Sequence, residues 1–295
     1  MPREVFRNIG LIAKSESEQA LYSLRQLVHF LEGRDCTVIL DEELAAALPE
    51  PGLQAGSRTQ LGESCDLVIV VGGDGCLLGA ARDLARYDVP VLGINRGRLG
   101  FLTDILPSEI ETRVAQVLSG DYTIEQRFLL EMEVRRGKNS AGRGSALNDI
   151  VLLSGDSVHM IEFELFIDGN YVYTQRSDGL IVSTPTGSTA YALSGGGPIM
   201  HPKMDAMVLV PLNPHTLTSR PLVVDGNSEL KIHVTTTKLQ PLVSCDGQEG
   251  VRLQLDDVIY VRKKPYRLKL LHPPGHDFYE ACRSKLGWSS RPGEA

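Results

Sequence analysis

The chain has 295 residues, of which 42% are apolar and 23% are charged, and its formal net charge at pH 7 is −7. This composition is typical of soluble globular proteins and is sufficient for two domains, while the acidic balance argues against a nucleic-acid-binding surface. The five cysteines stand singly with no C-x-x-C pair, so neither a zinc site nor a disulfide framework is suggested. Because no apolar run approaches the ~18 residues of a membrane span, we expect a cytoplasmic protein that does not act at a membrane.

The first part of the chain alternates between strand-like and helix-like patterns, which predicts a Rossmann-like parallel sheet flanked by helices. Candidate strands are residues 8–13, 36–40, 67–71 and 89–94. Apolar residues at helical spacing predict a first helix over 21–31, with Ser15 and Glu18 as a capping box and Gly33 at its end.

Further along this part, helical spacing predicts a second helix over 77–87. Ser108 and Glu111 predict the capping box of another helix, which ends at Gly120. The proline and glycine residues within 49–62 indicate a loop between the second and third strands.

Beyond residue 125, short strand-like runs are separated by Asp-Gly and other turn signals, and helical periodicity is nearly absent. The runs are residues 128–135, 146–153, 161–167, 171–174, 230–234, 242–245, 251–255 and 258–262. We therefore predict a β-sandwich-like all-β domain over 126–271. Residues 275–288 look helical again, so we expect the α/β domain to comprise 1–125 with a returning segment at 272–295.

A glycine-rich turn, Gly72-Gly73-Asp74-Gly75, follows the apolar run at 67–71. A strand, such a turn and a helix place free backbone N–H groups where α/β folds cradle phosphate. A carboxylate at ~4 Å would repel a phosphate by about 4 kcal/mol at an effective dielectric near 20. The repulsion becomes useful if Asp74 accepts a proton from an attacking hydroxyl or helps to hold a divalent cation. The alternative is an aspartate that bonds the backbone of its own turn.

A second motif, SDGLIVSTPTGSTAYALSGGGP, occupies residues 177–198. Its pattern predicts a strand that enters a loop rich in hydroxyls and glycines, followed by a short helix with Ser188 or Thr189 as N-cap. Small polar residues at a helix N-terminus suit a pocket for a sugar, base or phosphate. A hydroxyl-rich loop that only caps its own helix is the alternative.

The pair Asn148-Asp149 interrupts an otherwise apolar strand pattern, ALNDIVLL. Polar residues are disfavoured there unless they lie at a strand end or face a site. A strand end exposed to solvent would explain the pair equally well.

These motifs, together with NPHTLTSRPLVV at 213–224, occur in an order that resembles the ATP-NAD kinase family of bacteria. The GGDG turn alone is less specific, because 6-phosphofructokinases and the diacylglycerol and sphingosine lipid kinases share it. The resemblance implies transfer of the γ-phosphate of ATP to the 2′-hydroxyl of the adenosine ribose of NAD, giving NADP and ADP. It also implies a divalent metal, Mg²⁺ or Mn²⁺, and a homodimer or homotetramer, in which a neighbouring β domain often helps to complete the site.

The resemblance further implies roles for particular residues. Asp74 matches the proton acceptor and a dinucleotide contact, and Gly72, Gly73 and Gly75 match the phosphate cradle. The other implied NAD contacts are Gly75, Asn148, Asp149, His159, Arg176, Asp178, Thr189, Ala190, Tyr191, Ala192, Leu193, Ser194 and Gln248. For three of them a plainer interpretation exists: a surface strand residue at His159, a solvated charge at Arg176 and a loop residue at Gln248.

Other functions are less well supported by the sequence. An NAD-dependent oxidoreductase would need an acidic residue ~20 positions after its glycine fingerprint, and none lies between Val89 and Phe101. A non-catalytic nucleotide sensor has no use for a carboxylate at phosphate, whereas a lipid kinase that shares the GGDG turn stays open. His272 and His276 are four residues apart, but the Pro-Pro-Gly between them forbids a helical face, which argues against a zinc pair.

Overall fold

The computed structural model describes residues 6–14, 18–34, 36–48, 53–96, 100–155, 159–235, 240–248 and 250–288. The chain divides into two compact units. Met1–Gln126 and Arg267–Ala295 form the α/β unit, and Arg127–Tyr266 form the β unit. Within the described residues, no helix has the length and apolar character needed to cross a bilayer.

Strands and helices alternate up to residue 118, and strands dominate from there to residue 272. The first set is β1 (Asn8–Ala13), α1 (Glu18–Glu32), β2 (Thr37–Asp41), α2 (Glu42–Ala47), β3 (Gln54–Gly56), α3 (Arg58–Ser64), β4 (Leu67–Val71), α4 (Asp74–Leu84), β5 (Pro90–Ile94) and α5 (Ile110–Leu118). The second set is β6 (Thr123–Arg136), β7 (Asn139–Ala146), β8 (Asp149–Leu153), β9 (Ile161–Ile167), β10 (Asn170–Ser177), β11 (Gly179–Ser183), α6 (Tyr191–Ser194), β12 (Ala206–Leu212), β13 (Leu222–Asp225), β14 (Leu230–Val234), β15 (Leu242–Cys245), β16 (Val251–Arg252), β17 (Val258–His272) and α7 (Phe278–Leu286).

The α/β unit is built on a parallel sheet in the order β5-β4-β1-β2-β3, and the end of β17 pairs in parallel with β5. Every residue of β4 is buried, as expected for a central strand covered on both faces. The chain runs from β1 outward to β3 and then crosses to β4 on the other side of β1. Ligands of open α/β sheets bind at such a switch point, beyond the carboxyl ends of the strands, and the GGDG turn follows β4 directly.

The predicted α/β fold is confirmed, with two local differences. Part of the predicted loop at 49–62 folds into β3 and α3, because Ser57 and Gln60 form a reciprocal capping box that starts the helix. The capping box predicted at Ser108 does not form. That residue lies in a 3₁₀ turn before α5, where the Glu109 carboxylate accepts the Leu106 N–H at 3.4 Å. The Ser15 cap predicted for α1 lies outside the described residues.

The β unit consists of two antiparallel sheets, which confirms the predicted sandwich-like β fold. One sheet has the order β10-β9-β14-β17, with β6 and β7 beside β17, and the other has the order β13-β12-β11-β8-β15-β16. Leu152 and Leu180 of the second sheet share one hydrophobic core with Phe163 and Ile232 of the first. Alternate residues of each strand therefore face the partner sheet.

The outer face of the second sheet is also covered. Val151, Ile181 and Val208 point to this face and pack with Ala192 of α6 and with Met200. As a result, all five residues of β11 are buried. The second motif thus begins in a rigid central strand, and its short helix folds back over the strand's neighbours.

Candidate active site

The GGDG turn gives the α/β unit an open, glycine-lined surface at the carboxyl end of β4. Gly72 is confined, because a Cβ at this position would lie 2.7 Å from Cβ of Cys76. Gly73 and Gly75 differ, since a Cβ on either would meet no atom within 4 Å. The backbone of these two glycines is therefore free to approach a ligand, beside the N-terminus of α4.

Asp74, the first residue of α4, does not bond its own turn. Its Oδ2 accepts the Phe101 N–H at 3.0 Å, and its Oδ1 accepts the Leu102 N–H and the Thr103 hydroxyl, both at 3.1 Å. These three donors fix the carboxylate at the surface of the sheet. An ionised carboxylate offers about four acceptor positions, and within the described part of the chain Oδ2 accepts one hydrogen bond, from the Phe101 N–H.

The segment that holds Asp74 is itself held by Asn95, which sequence reasoning did not identify. The Asn95 amide is buried after β5 and donates to the hydroxyl of Thr103 at 2.8 Å and to its carbonyl at 3.3 Å. Gly100 allows the close approach, because a Cβ there would lie 2.3 Å from Oδ1 of Asp74. A polar residue directly after the apolar run of β5 was the available signal.

A cleft of about 460 Å³ opens in front of Asp74. Its lining residues are Gln19, Gly73, Asp74, Asn95, Arg96, Gly100 and Lys285. Two cationic side chains, Arg96 from the loop after β5 and Lys285 from α7, share the cleft with the carboxylate. The arrangement suits a ligand that carries several negative charges and one group to be deprotonated.

In the β unit, one aspartate organises the Asn148-Asp149 pair. The Asp246 carboxylate accepts the backbone N–H groups of Leu147, Asn148 and Asp149 at 2.9, 2.8 and 3.2 Å. Asp246 stands in a tight turn after β15 with a positive φ of 48°, followed by Gly247 with φ of 67°. The sequence showed only an Asp-Gly turn here, and its role in holding a distant strand end was missed.

The loop of the second motif packs against the same strand end. Thr184 donates its hydroxyl to the Leu147 carbonyl at 2.5 Å and accepts the Gly187 N–H at 3.2 Å. A Cβ on Gly187 would lie 2.2 Å from the carbonyl oxygen of Asn148, so only glycine fits. The threonine and glycine of the TPTG sequence are therefore packed against the Asn148-Asp149 pair.

Asp149 is an acid in an unusual environment. Its side chain is buried, and it pairs with Ser183 across the sheet. Burial, reinforced by the charge of Asp246, raises the pKa of Asp149 to about 7. A carboxyl group that changes charge near neutral pH is frequent in functional sites and rare at a solvent-exposed strand end.

The predicted N-cap of the motif helix is wrong. The α6 helix starts after Ala190, which provides no side-chain cap, and a 3₁₀ turn precedes it. Ser188 is buried and bonds the backbone of Pro185 and Met200, and Thr189 donates to the Thr186 carbonyl at 3.3 Å. The hydroxyls fold the loop because each finds a nearer backbone partner than the helix end.

The residues of α6 differ in their exposure to solvent. Tyr191 is 44% exposed, whereas Ala192 is fully buried against the outer face of the sheet. Leu193 is half-buried and Ser194 is exposed. Of this helix, Tyr191 and Ser194 are the residues most available to a ligand.

Other candidates lie elsewhere in the β unit. Asp178 accepts a bond from Asn213 at 2.8 Å at the start of β11, and Ser183 marks the other end of that strand. Five residues of strand separate the two ends by ~17 Å. Arg176 is exposed and lies 4.0 Å from Glu162, so it belongs to the Asp178 end. Within one chain, the structure does not bring this pair to Asn148 and Asp149.

The two remaining candidates are both exposed. Gln248 belongs to the turn that begins with Asp246, and its N–H bonds the Cys245 carbonyl at 3.0 Å, which places it near Asn148 and Asp149. His159 lies just before β9 on the surface.

Family models match both parts of the chain. The ATP-NAD kinase N-terminal domain matches residues 9–122, and the ATP-NAD kinase C-terminal domain matches residues 147–272. A protein named NAD kinase from Alcanivorax borkumensis is 80% identical over 99% of this chain and 97% of its own length. Another, from Azotobacter vinelandii, is 63% identical over 98% of this chain and 99% of its own length.

Two solved structures are also similar. Yeast NADH kinase, complexed with NADH, is 25% identical with a TM-score of 0.88 and covers 97% of this chain and 88% of its own. An NAD kinase from Archaeoglobus fulgidus in complex with ATP is 27% identical with a TM-score of 0.68, covering 90% of this chain and 94% of its own. Two family models that together span most of the sequence, and relatives matched over almost their whole length, lead to one conclusion: the chain belongs to the ATP-NAD kinase family.

Proposed function

We propose that this enzyme transfers the γ-phosphate of ATP to the 2′-hydroxyl of the adenosine ribose of NAD, with Asp74 as the general base. The observation that carries the proposal is how the Asp74 carboxylate is held and which acceptor position it still offers. Three donors hold it in a cleft with two cationic side chains, and among the described residues only Phe101 donates to Oδ2, whose second lone pair can accept a hydroxyl proton. The solved relatives with NADH and with ATP support a dinucleotide and a nucleoside triphosphate as the two substrates.

The cationic side chains and backbone N–H groups of the cleft suit the phosphates, and the Asp74 carboxylate suits the reacting hydroxyl. Arg96 and Lys285 would bind phosphate oxygens of ATP, and the open backbone of Gly73 and Gly75 would add N–H donors at the start of α4. Phosphoryl transfer is driven mainly by positioning and charge neutralisation, so a base that is fixed in place is sufficient. Asp74 then takes the proton of the ribose hydroxyl as it attacks.

A divalent cation, Mg²⁺ or Mn²⁺, would enter with ATP. Such ions prefer oxygen ligands and keep several waters, and bound to the phosphates they neutralise charge that builds up during transfer. Among the described residues, no group of three potential metal ligands lies in this cleft. We therefore assign the cation to the nucleotide and not to a protein cage.

For NAD, we propose contacts with Asn148, Asp149, Gln248 and the exposed residues of α6. A carboxylate at Asp149 would accept ribose hydroxyls, and the bonds from Asp246 and Thr184 hold its strand end in position. We assign the NAD contacts at His159, Arg176 and Asp178 to a second copy of the chain, since ~17 Å of strand separates the last two from Asn148 and Asp149. This assignment supports a homodimer or homotetramer.

The oligomer can be tested by mixing two inactive variants. Asp149→Ala and Asp178→Ala protein, inactive alone, should regain part of the activity when unfolded and refolded together, because some sites then have two intact halves. Light scattering would report the number of chains. A strictly monomeric and active enzyme would refute the shared site.

The base is tested with purified Asp74→Asn protein, ATP, Mg²⁺ and NAD, followed for NADP by an NADP-specific dehydrogenase. We expect turnover to fall by about two orders of magnitude or more, the contribution of a positioned base, while calorimetry shows NAD binding within a few-fold. Asp83→Asn, also on α4 and exposed, is the matched control and should leave turnover unchanged. Near-normal turnover in Asp74→Asn would remove the base from the mechanism, and no NADP from the parent enzyme would reject the reaction itself.

A further inference from the structure

The residue that follows the Asp74-holding segment takes part in a second polar cluster. Asp104 lies with Oδ2 2.9 Å from Nδ1 of His272 and 2.8 Å from Nδ1 of His276. The two imidazole rings stack with their centres 3.6 Å apart. The Pro-Pro-Gly between them makes a turn and not a helix, so the objection from helical spacing does not hold: the turn itself brings the rings together.

Two polar atoms of this cluster are buried with no hydrogen-bond partner among the described residues: Oδ1 of Asp104 and Nε2 of His276. His272 is fully buried, and the side chain of His276 is 13% exposed. Buried polar groups are nearly always satisfied, and a cluster of such groups calls for an additional partner. Metal ions are such partners for imidazole and carboxylate groups.

We infer that Asp104, His272 and His276 form a binding site for one divalent transition-metal ion, of which Zn²⁺ is the best match. Their ligand atoms all lie within 4.8 Å of one another. Zn²⁺ bonds of ~2.0–2.2 Å in a tetrahedron place neighbouring ligands ~3.3 Å apart, so the distances need little change, while the stacked rings must rotate apart for both lone pairs to meet one ion. Two imidazoles with one carboxylate suit Zn²⁺ and its transition-metal neighbours and not Mg²⁺, which prefers oxygen ligands.

The surroundings of His272 are those of a metal ligand. Its Nε2 lies 3.6 Å from Oε2 of Glu125, so a carboxylate stands behind the ring on the side opposite Asp104. Metal-bound histidines typically point their other N–H at such a carboxylate, which fixes the ring and makes it a better ligand.

An ion can also reach the site. Asp104 and His276 line a cavity of about 350 Å³. Its wall carries the acidic side chains Glu109, Asp277 and Glu280, opposed by Arg113, which is 3.4 Å from Glu109. Asp277 in turn lies 3.0 Å from Arg283, so Glu280 is the wall's remaining acid for a cation, and the cavity has room for a water as the fourth ligand.

Metal binding would stiffen the active site without taking part in its chemistry. Asp104 adjoins Thr103, whose hydroxyl bonds Asp74, while His276 lies just before α7, which carries Lys285. An ion would fasten these two segments of the α/β unit together. This inference does not rest on the proposed reaction.

The test uses the full chain, stripped of metal with a chelator and titrated with Zn²⁺ against a chromogenic competitor. We expect one ion per chain, a higher melting temperature with Zn²⁺, and a Co²⁺ absorption spectrum of tetrahedral type. His276→Gln removes the partly exposed ligand and should weaken Zn²⁺ binding at least tenfold. His29→Gln, whose side chain is 93% exposed on α1, is the matched control and should bind as the parent does.

Anomalous diffraction from Zn²⁺-soaked crystals of the parent protein checks the position without any variant. Density between Asp104, His272 and His276 would support the site. Failure of the parent to retain Zn²⁺, displacement of Zn²⁺ by excess Mg²⁺, undiminished binding in His276→Gln, or an ion located elsewhere would each overturn it.

Discussion

The raised pKa of Asp149 predicts a particular dependence of stability on pH. In the unfolded chain this carboxyl loses its proton near pH 4, whereas in the folded chain it keeps the proton up to about pH 7. Between these values unfolding releases a proton, so the free energy of unfolding falls as the pH rises and levels off above pH 7. Asp149→Asn cannot titrate and lacks this contribution.

The size of the effect follows from the two pKa values. One pKa unit corresponds to 1.36 kcal/mol, and between pH 5 and pH 8 about two units of the difference are lost. The parent should therefore lose about 2 to 3 kcal/mol more stability than Asp149→Asn over this range. The prediction concerns the difference between the two proteins, so the contributions of groups far from Asp149 cancel.

Urea unfolding of both proteins at pH 5 and pH 8, followed by circular dichroism, gives the four free energies. Asp121→Asn, at an exposed position, is the matched control and should follow the parent at both pH values. A difference between parent and Asp149→Asn below about 0.5 kcal/mol, the range of ordinary surface substitutions, would show that Asp149 is already ionised in the folded chain at pH 5. The account of its burial beside Asp246 would then be refuted.

Three further predictions concern single substitutions in the loop of the second motif, in α7 and in the segment that holds Asp74. Gly187→Ala places a Cβ 2.2 Å from the carbonyl oxygen of Asn148, so a loss of about 1 to 3 kcal/mol in urea unfolding and a raised KM for NAD are expected. Lys285→Ala removes one cation from the cleft and should raise KM for ATP about tenfold with kcat little changed, the value of one charge-assisted contact. Thr103→Val removes one of the three donors to Asp74 and should lower kcat by about tenfold at most.

The sequence predicts most helices and strands of this chain because they depend on the local spacing of apolar residues. The apolar run of β4 reflects burial on both faces, and the helical spacing of apolar residues in α1 reflects burial on one face. The structure shows both patterns of burial. The prediction of a loop at 49–62 was wrong in part, because it relied on the proline and glycine residues there and overlooked the capping box of Ser57 and Gln60.

The contacts that build the site were not predictable in this way. Asp74 bonds residues that lie 27 to 29 positions further along the chain, and Asp246 bonds residues 97 to 99 positions before it. No local periodicity connects such positions, so the family resemblance made Asn148 and Asp149 candidates but gave no sign of what holds them. The partners of Ser188 and the stacking of His272 on His276 depend likewise on tertiary structure.

A carboxylate that collects backbone N–H groups of another segment occurs in each unit, at Asp74 in the α/β unit and at Asp246 in the β unit. Asp246 spends its oxygens on three N–H groups of the strand end, which makes it a positioning residue. Asp74 makes similar bonds to 101–103, so a loss of activity in Asp74→Asn could come from a displaced segment as well as from a missing base. Thr103→Val separates the two explanations, because it weakens the hold on that segment and leaves the carboxylate intact. If kcat falls as far in Thr103→Val as in Asp74→Asn, the segment's position accounts for the loss; a much smaller fall leaves proton acceptance by Asp74 as the cause.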